Sequence, residues 1–430
     1  MFYIIADDLT GANDTGVQFA KNNCKTMVSI LEDESLDIVV PENLDVFVID
    51  TETRETGEKI ARKRIKSILE KLNITKEDIL YKKVDSTLRG NVGVEIAEIM
   101  DILKKDICIF SPSFPSHQRI SVGGYLLVQQ KPLGFSEYAD SPSDQGDNSF
   151  IPLLLKKQTN FSIGQVYLKD VTKGQKTILS KINALYQKGN KIIVIDATNE
   201  QHLRDIFASG LKFDGSVLLS GSAGLAHHFS QIFTKKEKPK KKINNKGPIM
   251  VVVGSRNPLA MTQIEYLKDK IDFAEIKIDL ERVFSNKEET LSEYILKGVT
   301  AAKNNQHLLI YTDAVHNLKE KINKKLMLKY SLGFRELEVN IKKIFGEMVL
   351  KILQNSHLRN LILTGGDVAL GVCKALDISN LTILDELLPG IPLSITRYKS
   401  DPLNIMTKAG GFGQADTLYE LMAKFKNYEE

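Results

Sequence analysis

The 430-residue sequence predicts an α/β fold of two domains, each a mainly parallel sheet flanked by helices. Three observations carry this prediction. Short apolar runs alternate with stretches of helical periodicity, the pattern of βαβ units. Polar, glycine-bearing segments follow the apolar runs, as loops do at the carboxyl ends of parallel strands. A charged stretch without apolar periodicity, residues 235–247 (KKEKPKKKINNKG), contains Pro and Gly and separates two parts of ordinary domain size. Domains are therefore expected at 1–234 and 248–430, joined by a linker at 235–247.

In the first domain the run Phe2 to Ala6 reads as a buried strand. The polar stretch from Ala6 through Asp7-Asp8-Leu9-Thr10-Gly11 to Gly16 reads as a loop, and Val17 to Lys21 as a helix. Strands are expected at Thr26 to Leu31, Val46 to Asp50, Ile79 to Lys82 and Ile107 to Phe110, with helices at Glu55 to Leu72 and Gly93 to Leu103. From Arg119 to Asp170 the pattern loses regularity, with Gly123-Gly124, Pro132 and Asp140-Ser141-Pro142, which predicts a long excursion or a small hairpin layer. Order returns with a helix at Lys176 to Gln187, a strand at Ile192 to Asp196, a helix at Glu200 to Ser209 and a strand at Val217 to Leu219.

The second domain opens with a buried strand, Ile249 to Val253. Further strands are expected at Glu275 to Ile278, Leu308 to Tyr311 and Leu361 to Leu363. Helices are expected at Pro258 to Lys270, Lys287 to Lys303, Phe334 to Gln354 and Val368 to Leu376. Pro392 to Lys408 reads as one or two strands around Ser400-Asp401-Pro402, and Thr417 to Lys426 as a closing helix.

Hydrophobic residues at 42% and charged residues at 26% describe an ordinary globular chain. No run of 18 apolar residues occurs, so no transmembrane helix is expected. The N-terminus passes directly into a strand pattern, so no signal peptide is expected. Cys24, Cys108 and Cys373 are scattered without metal or redox spacing, which points to a reducing cytoplasm. A net charge of +4 is too small to argue for a nucleic-acid partner, and is compatible with an anionic small molecule. The basic run at 235–247 lacks interleaved aromatic residues and reads as a solvated linker.

Four polar stretches of the first domain fall after expected strands and should meet at one rim. They are Asp7-Asp8, Thr51 to Arg54, Lys82 to Gly90 and Ser111 to Arg119. Together they bring Arg54, Lys83, Arg89 and Arg119 beside Asp8, Asp85 and several hydroxyls including Ser86. A guanidinium forks onto a carboxylate and an aspartate accepts from a hydroxyl, so the set suits a small hydroxylated acid. One Arg alone is usually a surface ion pair, and Asp8 or Asn13 alone is as readily a helix cap. In the second domain Gly254-Ser255-Arg256-Asn257-Pro258, Thr364-Gly365-Gly366-Asp367 and Lys408-Ala409-Gly410-Gly411-Phe412-Gly413 offer backbone N–H groups and make a phosphate cradle plausible. None of these loops matches G-x-x-x-x-G-K-[ST] or G-x-G-x-x-G. There is no H-E-x-x-H and no Cys/His cluster at metal spacing. His117 reads as a surface group, His227-His228 diverge on a helix, and Ser222 lacks the full G-x-S-x-G pattern.

The motifs Ala6-Asp7-Asp8-Leu9-Thr10-Gly11, Tyr81 to Gly90 (YKKVDSTLRG), Pro112 to Arg119 (PSFPSHQR), Leu363 to Asp367 (LTGGD) and Thr407 to Gly413 (TKAGGFG) resemble those of the four-carbon acid sugar kinases, in family order and across nearly the whole chain. Asn13 to Gln18 and Tyr81 to Thr87 most resemble the D-threonate kinase branch. The resemblance implies ATP-dependent phosphorylation of the 4-hydroxyl of a tetronic acid, with the acid on the N-terminal domain and ATP on the C-terminal domain. It implies that Asp8, Arg54, Lys83, Val84, Asp85 and Ser86 bind the acid, and that Ser255, Thr364, Gly365, Gly366, Asp367 and Gly410 line the nucleotide. Gly411 continues the last loop, and Arg89 and Arg119 belong to the acid rim. The family often carries Ala-Gly-Arg or Gly-Arg where this chain has Ser116-His117-Gln118-Arg119, so only Arg119 keeps its place there.

The two rims are expected to face each other across an interdomain cleft that holds the active site. In this reading Arg54 and Lys83 orient the acid. Asp8 or Asp85 accepts the proton of the attacking hydroxyl. Mg²⁺ on the phosphates neutralises charge, with Asp367 as a candidate ligand or supporting residue. D-erythronate or a 3-oxo-tetronate are the alternative substrates, and a sugar-acid-binding protein without chemistry is the non-enzyme alternative. A dehydrogenase is disfavoured because no dinucleotide fingerprint follows Phe2 to Ala6.

Overall fold

The computed structural model describes residues 1–31, 38–75, 78–136, 147–232, 243–255, 257–312 and 319–428. The chain divides into two compact units, Met1–Lys238 and Pro239–Glu430. Residues 235–242 of the expected linker, 137–146 of the irregular excursion, and Arg256 of the first cradle loop lie outside the described residues.

The first unit opens with β1 (Phe2–Ala6), α1 (Leu9–Ala20), β2 (Thr26–Ile30) and β3 (Val46–Asp50). Then come α2 (Glu58–Lys71), β4 (Ile79–Lys83), α3 (Val92–Leu103) and β5 (Ile107–Ser111). A small antiparallel layer follows, β6 (Arg119–Val122), β7 (Tyr125–Val128) and β8 (Lys131–Pro132). The chain returns through α4 (Ile151–Gln158), β9 (Ile163–Val166), α5 (Leu168–Val171), α6 (Gln175–Gln187) and β10 (Ile192–Ile195). It ends with α7 (Glu200–Leu211), β11 (Val217–Gly221) and α8 (Ala223–Ile232). The strand order is β2-β3-β1-β4-β11-β5-β10-β9, and every pairing is parallel. The central strands are buried on both faces, which is why β1 and β3 read as continuous apolar runs rather than alternating ones.

The opening polar stretch departs from expectation. Leu9 to Ala20 is one helix, not a loop followed by a short helix. Its two glycines, Asn13, Asp14 and two threonines are weak helix formers. Burial overrides propensity, because Gly11 through Ala20 are all buried against the unit's core. Asp8 starts the helix as its N-cap, its side chain accepting from the Gly11 amide at 2.9 Å.

The second unit runs β12 (Ile249–Val253), α9 (Pro258–Lys270), β13 (Phe273–Ile278), α10 (Leu280–Ser285), α11 (Lys287–Lys303), β14 (His307–Thr312), α12 (Lys319–Tyr330) and α13 (Phe334–Gln354). It continues β15 (Asn360–Thr364), α14 (Gly366–Ala375), β16 (Asn380–Leu388), β17 (Ile391–Tyr398), β18 (Asp401–Lys408) and α15 (Thr417–Lys426). Strands β13-β14-β12-β15-β18 are parallel, and β17 and β16 add an antiparallel pair. β16 escaped the sequence reading because Asp385 and Glu386 interrupt its apolar residues, and a register shift lies on either side of that pair.

Both units share a device. β1 lies between β3 and β4, and β12 lies between β14 and β15. In each unit the chain leaves its first strand on one side and later returns on the other. That makes a topological switch point, where loops diverge above the carboxyl strand ends and leave room for a ligand.

Candidate active site

The acid rim is assembled at the switch point of the first unit. Asp7 and Asp8 follow β1, Arg54 follows β3, and Lys83 ends β4. The Arg54 guanidinium lies between the two aspartates. Its Nε and Nη2 donate to Asp7 at 2.8 and 3.0 Å, and its Nη1 and Nη2 donate to Asp8, both at 2.6 Å. Asp85 stands 3.8 Å from Nη2. The two aspartates therefore do not diverge as in a continuing strand: the strand ends at Ala6 and both converge on one cation. Arg54 is occupied by this chain's own carboxylates, so its first effect is to hold Asp7 and Asp8 together.

Gly11 explains the close packing. A Cβ there would stand 2.6 Å from Asp8 Oδ1, 2.8 Å from Lys83 Nζ and 3.7 Å from Arg54 Nη2. The missing side chain leaves the space into which those three groups point. Lys83 is 4% exposed, and among the described residues its ammonium has no hydrogen-bond or ion-pair partner, although it acts on Asp7 and Asp8 through space. Buried donors left open in this way carry a desolvation cost that a bound anion or hydroxyl would relieve.

The carboxyls are tuned apart. Burial raises the Asp8 carboxyl above its ordinary value; Arg54 opposes this, and the neighbouring Asp7 adds to it. Asp7 is buried too, but the Arg54 pairing, with Lys82 and Lys83 nearby, holds it below the ordinary range. Burial acts upward on Asp85, yet Arg54, Arg89 and the hydrogen bonds from Arg89 and Thr87 hold it well below. Arg89 grips Asp85 through Nε at 2.7 Å and Nη2 at 3.2 Å while its side chain stays partly exposed. Arg119 donates to Ser86 Oγ at 3.0 Å, which joins the β6 edge to the β4 loop. Val84 departs from the rest, since its side chain packs in the apolar core and only its backbone is available to a ligand.

Beneath the rim lies a buried ion pair that the sequence reading did not single out. Lys82 Nζ meets Glu95 Oε2 at 2.7 Å, both side chains 1% exposed, and Thr53 donates to Glu95 Oε1 at 2.8 Å. Lys82 and Lys83 point to opposite faces of β4. One is locked inside and the other faces the rim, a division readable only once the strand's end is known.

In the second unit the cradle centres on Ser255, which follows β12. A Cβ on Gly410 would overlap the Ser255 hydroxyl, and one on Gly365 would stand 3.3 Å from the Ser255 amide. Gly365 has φ +99, a conformation open to glycine, and its amide donates to the Lys408 carbonyl at 2.9 Å. Gly366 and Asp367 open α14, and Gly411 is exposed beside Gly410. The Thr364 hydroxyl is buried without a partner among the described residues. Asp367 is paired with Lys342 rather than standing open. Among the described residues no group of three His, Cys, Asp or Glu is placed to hold a metal ion, and no helix is long and apolar enough to cross a membrane.

Two family models match the chain: a sugar-binding N-terminal domain over residues 2–229 and a nucleotide-binding C-terminal domain over residues 250–418. The D-threonate kinase of Salmonella typhimurium is 28% identical over 97% of this chain and 97% of its own length. The D-erythronate kinase of Heliobacterium modesticaldum is 27% identical over 90% and 88%. The 3-oxo-tetronate kinase of Pseudomonas savastanoi pv. phaseolicola is 26% identical over 96% and 94%. A solved structure described as a putative tRNA synthase from Salmonella typhimurium aligns with a TM-score of 0.81 at 22% identity, covering 98% of each chain, and this likeness shows the fold alone. With one model on each unit, the chain belongs to the four-carbon acid sugar kinase family.

Proposed function

We propose that this kinase transfers the γ-phosphoryl group of ATP to the 4-hydroxyl of D-threonate, giving 4-phospho-D-threonate. The single observation that carries the acid site is the convergence of Asp8, Lys83 and Arg54 on the space left by Gly11. The choice of D-threonate is supported by the name of the relative at 28% identity and by the motifs of that branch. The names of the D-erythronate and 3-oxo-tetronate kinases support those two acids as the alternative.

In this reading Lys83 anchors the acid, with Arg89, Arg119 and Ser86 at its margin. Arg54 acts through Asp7, Asp8 and Asp85, fixing their positions. Asp8 accepts the proton of the 4-hydroxyl, because its carboxyl is the more basic of the two that face the rim. Asp85, held acidic by Arg54 and Arg89, positions the substrate. Ser255 and the backbone of Gly365, Gly366 and Gly410 hold the nucleotide phosphates. Mg²⁺ bound to those phosphates would neutralise charge there, and such an ion needs only one or two protein carboxylates. The reaction is assigned to the cytoplasm, a reducing compartment that suits three buried cysteines outside any disulfide.

An ADP-release screen across D-threonate, D-erythronate, their enantiomers and 3-oxo-tetronates tests the reading. D-Threonate is expected to give the highest kcat/KM. Higher turnover on another tetronate would move the assignment to that acid, and no acid-dependent ADP release would refute it.

A further inference from the structure

Lys408 is the last residue of β18 and is 1% exposed. Its ammonium turns back on the loop that follows, donating to the Ala409 carbonyl at 2.9 Å and, weakly, to the Gly410 carbonyl at 3.4 Å. Among the described residues no carboxylate pairs with it. Its in-register partner on β15 is Thr364, so the two side chains leave the same face of the sheet side by side. Thr364 is fully buried, and its hydroxyl has no partner among the described residues. A buried ammonium without a counter-ion and a buried hydroxyl without a partner are both costly. Here they adjoin Gly365 and Gly410, the two glycines that close on Ser255. A single oxygen-rich anion would satisfy both.

We propose that Lys408 is the buried counter-charge for a phosphate of the nucleotide, its ammonium joining the Ala409-Gly410 turn to a phosphate oxygen with the Thr364 hydroxyl beside it. This rests on the nucleotide site proposed above and adds to it a residue and a consequence. Burial alone lowers the Lys408 ammonium to about 7. Among the described residues no charged group on the neighbouring elements offsets this: Asp367 of α14 is taken by Lys342, Arg397 of β17 is exposed opposite Pro402, and Lys426 of α15 contacts His307. A phosphate close by favours the charged form and raises that value. Nucleotide binding is therefore coupled to proton uptake: affinity is full below pH 7 and declines as the pH rises.

The test is calorimetric titration of the full chain with ADP and with adenosine at pH 7.5 to 8.5, a range above the phosphate's own ionisation near pH 6. Each titration is run in two buffers of different ionisation enthalpy. Wild type is expected to take up close to one proton per ADP at pH 8, and to bind ADP about eightfold more weakly at pH 8.5 than at 7.5. Lys408→Met is expected to bind ADP at least about tenfold more weakly at pH 7.5, with no proton uptake and unchanged adenosine affinity. A residue that only shaped the loop would lower affinity without abolishing a proton uptake. If Lys408→Met does not fold, the wild-type proton count and pH profile decide alone. Wild-type ADP binding without proton uptake, or unchanged ADP affinity in Lys408→Met, overturns the assignment of Lys408 and leaves the nucleotide site standing. Wild-type protein that binds no ADP overturns both.

Discussion

Gly11→Ala separates folding from function. Gly11 is a helical residue of α1 and not one of the glycines with positive φ, so alanine suits its backbone. In a helix that exchange is worth about 0.5–1 kcal/mol of added stability. Against this, the new methyl would stand 2.6 Å from Asp8 Oδ1 and 2.8 Å from Lys83 Nζ, so both must retreat. Displacing Asp8 weakens the N-cap by about 1 kcal/mol. The two effects nearly cancel, and the atoms that move are the ends of side chains rather than backbone. The melting temperature is expected to stay within about 4 °C of wild type. Function has no such compensation. A hydrogen bond to a charged group contributes about 1.5–3 kcal/mol, and two are misplaced, so kcat/KM for the acid should fall at least about 100-fold. ATP affinity should not change. The assay pairs thermal melts with ADP-release kinetics on D-threonate and calorimetry with ATP. A folded Gly11→Ala enzyme with kcat/KM near wild type would refute the claim that the positions of Asp8 and Lys83 set by this close packing govern acid binding. A variant melting far below wild type would refute the packing argument.

Four further outcomes are expected. Asp8→Asn should keep ATP affinity and lose at least about 100-fold in kcat, whereas Asp85→Asn should chiefly raise the KM for the acid; the reverse pattern would exchange their roles. Because the base must be ionised and the Asp8 carboxyl is raised, wild-type kcat/KM should fall on the acid side with an apparent pKa above the ordinary aspartate value of about 3.9, and this limb should be absent from Asp8→Asn. Gly410→Ala drives a methyl into the Ser255 hydroxyl and should weaken ATP binding at least about tenfold while sparing the acid, which paired ATP and D-threonate titrations would show. Lys82→Met strands Glu95 as an unpaired buried charge and should destabilise the first unit by about 3–5 kcal/mol in urea unfolding; an unchanged midpoint would show that Glu95 is neutral in the folded protein.

Most strands were legible because parallel strands buried on both faces leave unbroken apolar runs, as at Phe2–Ala6 and Ile249–Val253. What was hidden lay where tertiary burial outweighed local preference. Leu9 to Ala20 has the composition of a loop and is helical because the core accepts its small residues. β16 carries two carboxylates at a register irregularity, and α12 is too rich in lysine to show a clear apolar face. The rim residues were readable as a set, since loops after parallel strands converge. Their division of labour was not. Nothing in the order Lys82-Lys83 says which lysine is locked to Glu95, and nothing around Arg54 says that its donors are taken by Asp7 and Asp8. The sequence places Lys408 at the start of a cradle loop for its backbone, and the burial of its ammonium is visible only in the fold.

The pairing at the acid rim has a consequence for turnover. Asp7, Asp8 and Asp85 stand against Arg54, Lys83 and Arg89, so these six central groups balance before any ligand arrives, and Arg119 beside Ser86 adds one positive charge at the margin. Such a pocket exerts little long-range pull on anions in general and selects by fit rather than by attraction. A tetronate adds one negative charge, which the open donors of Lys83 can absorb. Its phosphorylated form adds about two more, for which the six central groups hold no excess of positive charge. The same balance that makes the rim discriminating on entry therefore favours expulsion of the product. Substrate affinity should accordingly depend only weakly on ionic strength.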